Sequence, residues 1–153
     1  MSLAPTWIAL THIAQTWQRG AQWVLFILVL AFAADTGAFF AGRRFGRHKL
    51  APQVSPGKTW EGVAGGLLLA ALAALLGGHW LGVPLARILP LCLVGAAFSV
   101  VGDLTESMFK RASGLKDSGR LFPGHGGVLD RIDSALAATP VMSLGLVLLG
   151  VGT

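Results

Sequence analysis

The chain is 153 residues long, 54% hydrophobic and 12% charged, with 21 glycines, no tyrosine and a formal charge of +5. With a mean hydropathy of +0.67, it does not read as a water-soluble domain but as one polytopic membrane unit. The positive charge does not mark a nucleic-acid binder, because the basic residues sit in short loops between apolar runs; such loops set orientation and meet anionic head groups. The single Cys92 lies in an apolar run, which leaves no disulfide framework and no thiolate metal site.

Residues 1–20 place Trp7, Ile8, Leu10, Ile13 and Trp17 at roughly helical spacing. They predict an interfacial helix held by its Trp rings, the alternative being a poorly ordered start. The segment has no basic leader and no clean apolar core, which argues against a cleavable signal peptide. Residues 21–42 are long enough to span a bilayer, and Asp35 sits inside them. An acid at that depth is expected to face a bundle interior or watery cavity, or else to pair at the helix end with Arg43 or Lys49.

Residues 43–61 form a basic loop carrying Arg43, Arg44, Arg47, Lys49 and Lys58, with Pro52 and Pro56 opposing a regular helix. Gly57-Lys58-Thr59 is not a phosphate loop, since the required glycine five positions earlier is Pro52 and no strand pattern precedes it. Ser55, Lys58, Thr59 and Glu61 are candidates to contact phosphate or to cap the next helix. Residues 62–83 carry no charge and predict a span, with Gly62 and Gly66 spaced for close helix packing. His79 and Trp80 read as an interfacial turn rather than a metal site.

Residues 84–110 predict a further span, kinked at Pro90, whose helix continues into the polar stretch 103–134. Five of the seven acids fall in that stretch: Asp103, Glu106, Asp117, Asp130 and Asp133. Asp103, Glu106, Ser107 and Lys110 share one helical face at i, i+3, i+4 and i+7. A glycine-rich loop over 111–129 leads to Asp130 and Asp133, again i, i+3, at the start of a last span over 134–152. Ten of the twelve Lys and Arg lie in 43–61 and 110–131, so the positive-inside rule puts both motif loops in the cytoplasm. The expected fold is all-α: a polytopic membrane protein with about four transmembrane helices and two cytoplasmic motif loops. The first 20 residues stand apart from a membrane-embedded unit over 21–153.

Carboxylates at one membrane face, interleaved with Lys and Arg, suit a divalent cation plus phosphate. Magnesium takes a few carboxylate oxygens and completes its shell with water and substrate phosphate. Cations there neutralise charge on a transferring phosphoryl group or leaving pyrophosphate, and glycines around His125 let backbone amides approach phosphate oxygens. The plain alternative is a surface loop laced with salt bridges; the same-face acid pairs repel unless something positive lies between them. Ion or proton transport is the main rival class.

Ser107-Met108-Phe109-Lys110-Arg111, Lys116-Asp117, Pro123-Gly124-His125-Gly126-Gly127 and Asp130-Arg131-Ile132-Asp133 together resemble the signature of phosphatidate cytidylyltransferases (CDP-diacylglycerol synthases). Asp35-Thr36-Gly37, Phe45-Gly46, Ser55-Pro56, Lys58-Thr59-Trp60-Glu61-Gly62 and Gly102-Asp103-Leu104 extend the resemblance over about residues 25–150. It implies an integral membrane enzyme that makes CDP-diacylglycerol and pyrophosphate from CTP and phosphatidate with Mg²⁺, at the inner membrane of a bacterium. By resemblance Asp103, Asp130 and Asp133 hold metal, and Lys110, Lys116 and Asp117 join them in catalysis. Asp35, Ser55, Lys58, Thr59, Glu61, Ser107, Arg111, His125, Gly126, Gly127 and Arg131 bind substrate. Gly57 stands where the family often has a basic residue. The family also carries more helices before the equivalent of residue 20, so the chain is expected to be a C-terminal half: a fragment, a short form or one member of a homodimer. The alternatives are a transferase acting on another lipid phosphate, such as an archaeol-type acceptor, and a non-catalytic truncated paralogue.

Overall fold

The computed structural model describes residues 3–112 and 129–151, with the side chains of residues 3, 110 and 129–134 outside the described set. The order of elements is α1 (Leu3–Thr16), α2 (Gly20–Phe45), β1 (Lys49–Ala51), β2 (Ser55–Thr59), α3 (Trp60–Leu81), α4 (Leu85–Ala112) and α5 (Leu129–Leu148). Three helices, Gly20–Phe45, Trp60–Leu81 and the Leu85–Phe109 part of α4, are long and apolar enough to cross a membrane. The apolar part of α5, Ala135–Leu148, is shorter. The helical, membrane-type architecture expected from sequence is therefore observed.

Side-chain size decides which face of each helix is inside. In lipid there is no gain from hiding large apolar groups, so helices associate through small residues that let backbones approach. Helix α3 follows this rule: Gly62, Gly66, Ala70, Ala74 and Gly78 form a buried stripe at every fourth position. Leu68, Leu72, Leu75 and Leu76 point outward. Its main partner is α2. A Cβ on Gly66 would lie 2.9 Å from the Ala34 carbonyl oxygen, one on Gly62 would lie 3.0 Å from that of Ala38, and one on Gly65 would lie 2.7 Å from that of Gly37. The expected packing role of Gly62 and Gly66 is thus realised.

Helix α4 packs on α3 and α5. Gly95 faces Met142 and Gly145 faces Leu91, so α4 and α5 run antiparallel. Continuing that register towards the start of α5 brings its first turn level with Asp103–Ser107 on α4. At the opposite end, Gly82 closes α3 in the left-handed region (φ 73°), its amide donating to the Gly78 carbonyl. His79 and Trp80, expected in an interfacial turn, belong instead to the last turn of α3. Helix α1 forms over the N-terminal segment, with Ile13 and Trp17 in the core and Trp7 exposed. Trp17, Trp23 and Phe26 make successive edge-to-face contacts at 6.0 and 6.1 Å, tying α1 to the start of α2.

Pro140 lies inside α5 and has no N–H to give to the carbonyl of Leu136, four residues back. That carbonyl instead accepts a hydrogen bond from the Thr6 hydroxyl of α1 at 3.0 Å, as a membrane-buried carbonyl requires.

The basic 43–61 segment departs most from expectation. Helix α2 runs on to Phe45, and the rest is a two-stranded antiparallel ribbon, Lys49 opposite Thr59 and Ala51 opposite Ser55. The prolines exclude a helix but not a ribbon: Pro52 sits in the turn, and Pro56 is tolerated because both strands are edges.

Two outcomes are expected. Gly66→Leu should lower the melting temperature of the detergent-solubilised chain, the overpacking costing about 1–3 kcal/mol, whereas Gly57→Ala, where a Cβ meets nothing within 4 Å, should not. Thr6→Val should speed amide exchange in α1, by removing its bond to α5 at nearly constant volume.

Candidate functional site

A cavity of about 1190 Å³ opens between α2, α3, α4 and the ribbon. One end carries Arg43 from the last turn of α2, Lys49 from β1, Lys58 from β2 and Asp103 from α4. The body is walled by Phe32, Ala34, Ala38, Val63, Leu67, Ala96 and Val100, with Asp35 and Ser99 as the polar groups set among them. Counting the charged side chains, three cations face two carboxylates, so the cavity favours an anion at one end and apolar matter along its length.

Local chemistry builds each wall. The Thr59 hydroxyl accepts from the Gly62 amide at 3.1 Å and caps α3, the role its position ahead of an apolar run predicted. Glu61, in the first turn, takes the backbone N–H of His48 at 3.2 Å and the ring Nδ1 at 2.7 Å. The Trp60 amide donates to the His48 carbonyl at 3.0 Å. The chain entering the ribbon is thereby clasped to the helix that leaves it. This places Lys58, one residue before the cap, against α4.

Lys58 Nζ lies 2.5 Å from Asp103 Oδ2. The ammonium nitrogen is sealed from solvent, while the Asp103 side chain is 36% exposed. The two groups form an ion pair between the ribbon and α4, and the Lys58 ammonium has no second acceptor among the described residues. Arg43 is steadied over the Phe39 ring at 5.9 Å.

Of the residues singled out from sequence, the cavity gathers Asp35, Lys58, Thr59 and Asp103. Ser55 and Glu61 are not in its lining: Ser55 opens β2 and Glu61 faces His48. Ser107 lies one turn beyond Asp103, and Arg111 is exposed in the last turn of α4. Asp130, Arg131 and Asp133 fall on the first turns of α5; their side chains, like that of Lys110, are outside the described residues, as are Lys116, Asp117, His125, Gly126 and Gly127. Sequence reasoning missed Ser99 as a site residue. Its position four residues before Asp103 on the same helical face was the available signal.

No three His, Cys, Asp or Glu side chains converge among the described residues. The donor chemistry nevertheless fits a hard cation: Asp103 offers carboxylate oxygen, already holds a positive group, and stands level with the first turn of α5.

A helical bundle of this kind, with a charged cavity end continuous with an apolar interior, defines an integral membrane protein. Its fold is that of a solved intramembrane enzyme for archaeal membrane-lipid biosynthesis, with a TM-score of 0.62, 23% identity, and coverage of 84% of this chain and 78% of the other. The model of the cytidylyltransferase family matches residues 1–149, and the chain belongs to that family. It is 50% identical over 142 residues to a phosphatidate cytidylyltransferase of Haemophilus influenzae, covering 89% of this chain and 49% of the relative. It is 51% identical over 145 residues to that of Pseudomonas aeruginosa, covering 92% and 53%, and 39% identical over 149 residues to that of Staphylococcus saprophyticus, covering 96% and 57%. The chain spans about half the length of the curated relatives it matches.

If the Lys58–Asp103 contact orders the ribbon, Lys58→Met and Asp103→Asn should each lower the melting temperature. The double variant should be less destabilised than the sum, with a coupling of roughly 1 kcal/mol or less given the exposure of Asp103. Additive losses would show that the contact carries no stability.

Proposed function

We propose that the chain transfers the cytidylyl group of CTP to phosphatidate, giving CDP-diacylglycerol and pyrophosphate in phospholipid biosynthesis. The observation that carries this reading is the cavity itself, in which Lys58, Lys49 and Arg43 gather at one end of an apolar interior. A lipid phosphate fits that polarity: its anionic head meets the cations and its chains lie along Phe32, Leu67 and Val100. Family membership and the identity to phosphatidate cytidylyltransferases support the same substrates.

In the proposed reaction a phosphatidate oxygen bonds to the α-phosphorus of CTP, and the bond from that phosphorus to the bridging oxygen breaks as pyrophosphate leaves. Lys58 holds the reacting phosphates in register and offsets their mutual repulsion. Lys110 and Lys116 are assigned to the same work, and Asp35 shapes the cavity. Mg²⁺ would be held by Asp103 with Asp130 and Asp133, and supplies Lewis-acid neutralisation of the leaving pyrophosphate. The cationic end is assigned to the cytoplasmic side of a bacterial inner membrane, where CTP is available, from the concentration of Lys and Arg in the 43–61 and 110–131 segments.

The deciding experiment is CDP-diacylglycerol formation from CTP and phosphatidate by the purified chain in liposomes, with and without Mg²⁺. Activity that needs the cation is expected. Asp103→Asn should abolish it, and Lys58→Met should lower turnover about 10²–10³-fold, the usual loss for one preorganised charge stabiliser. Asp35→Asn should reduce turnover without preventing membrane insertion. A chain that makes no CDP-diacylglycerol with both substrates and Mg²⁺ saturating would overturn the reading.

A further inference from the structure

Two of the three cations that line the cavity, Lys49 and Lys58, stand on the ribbon rather than on a helix. The ribbon is slight. Its strands run Lys49–Ala51 and Ser55–Thr59, and their register shifts between the Lys49–Thr59 and Ala51–Ser55 pairs. A two-stranded hairpin of this size has little stability of its own, so its direction has to be set from outside. At the base of β2 the packing does this: Thr59 is buried and caps α3, and the end of α2 presses on it. A Cβ on Gly46 would lie 2.8 Å from Thr59 Cγ2, and one on Gly42 would lie 3.1 Å from Thr59 Oγ1. The base of β1 has no such burial, because residues 46–49 are all exposed.

Polar contacts from one residue take the place of burial there. His48 commits three groups to residues 60 and 61. Its carbonyl accepts from the Trp60 amide at 3.0 Å. Its own N–H donates to Glu61 Oε1 at 3.2 Å and Oε2 at 3.3 Å, and its ring Nδ1 lies 2.7 Å from Oε1. A carboxylate only accepts, so the ring contact needs the proton on Nδ1. Neither side chain belongs to the cavity lining, whereas Lys49, the next residue, does. That alternation is expected of extended chain, in which successive side chains take opposite faces. An acid in the first turn of α3 would suit the helix dipole whatever it touched. Glu61 does more, because its carboxylate holds both the backbone and the ring of the residue that leads into Lys49.

We infer that His48 and Glu61 are positioning residues: their clasp on the outer side of the ribbon fixes how Lys49 and Lys58 enter the cavity, and so sets its affinity for the phosphate of the acceptor lipid. This rests on the lipid-phosphate reading proposed above and adds what holds the cations in place. Glu61, which the sequence resemblance assigned to substrate contact, acts instead through the ribbon, and His48 acts with it. The clasp is surface-exposed, with the His48 side chain 78% and that of Glu61 25% accessible. Exposed ion pairs add little to global stability, so the contact orients the ribbon without holding the bundle together.

The test is equilibrium binding of dioleoyl phosphatidate to the detergent-purified chain, read by native mass spectrometry, with dioleoylglycerol as the phosphate-free control. His48→Ala and Glu61→Ala should each weaken phosphatidate binding on the order of 3- to 10-fold, the loss expected when one or two cationic side chains must be ordered anew on binding. Dioleoylglycerol binding and the melting temperature should stay as in the wild type. His48→Asn places an amide N–H where the ring Nδ1–H stood and should recover most of the affinity. Because the two residues act through one contact, His48→Ala should add little to Glu61→Ala. Amide exchange over residues 46–60 should quicken in both alanine variants and slow again in His48→Asn. Three results would overturn the inference: wild-type phosphatidate affinity in His48→Ala, an asparagine variant no better than the alanine one, or a fall in melting temperature that weakens both lipids equally. A wild-type chain that binds phosphatidate no better than dioleoylglycerol would instead remove the lipid-phosphate reading, and this inference with it.

Discussion

The closeness of α2 and α3 is the constraint on which the remaining structure depends. Where Gly62, Gly65 and Gly66 meet Ala34, Gly37 and Ala38, a single added carbon would press on a backbone carbonyl. Two helices this close leave no room between them for large side chains, so Phe32 and Leu67 turn away from the seam and become cavity walls. The short connection between the two helices follows as well. It has to return within 14 residues from Phe45 to Trp60, and a ribbon clasped by Glu61 and His48 does so while presenting cations inward.

The charged end of the cavity depends on that ribbon more than on any one helix. Lys58 and Asp103 are far apart in sequence and meet because the ribbon folds over the end of α4. A lysine on a β-strand between a paired neighbour and a helix cap has its backbone fixed at Thr59, which limits how far its ammonium can wander. The same ammonium on a free loop would lose more entropy on meeting a phosphate. The basic segment that the sequence suggests is a loop is instead a two-stranded ribbon.

Much of this was legible in the sequence, for identifiable reasons. Long apolar runs announce membrane helices because lipid leaves the backbone no other way to satisfy itself. Thr59 ahead of an apolar run reads as a cap, and Gly62 with Gly66 reads as a contact, because both signals are local. Asp35, Lys58 and Asp103 stood out as charges that composition did not require. The ribbon was not legible: its strands are short, interrupted by Pro52 and Pro56, and show no period-two pattern. Nor was the pairing of Lys58 with Asp103, which only tertiary folding brings about. Ser99 went unnoticed as a cavity residue because a single serine in an apolar span carries no local signal of what it faces.

The hydrogen bond from Thr6 to the Leu136 carbonyl has a mechanical consequence. Proline at position 140 cuts one rung from the ladder of α5, and a helix missing a rung bends most easily there. The weak point lies one turn beyond Asp133, between the acidic start of the helix and its apolar shaft. By filling the vacated acceptor from outside, α1 splints the fracture. The N-terminal helix, which itself carries no Lys, Arg, Asp or Glu, thus steadies the helix on which Asp130 and Asp133 are mounted.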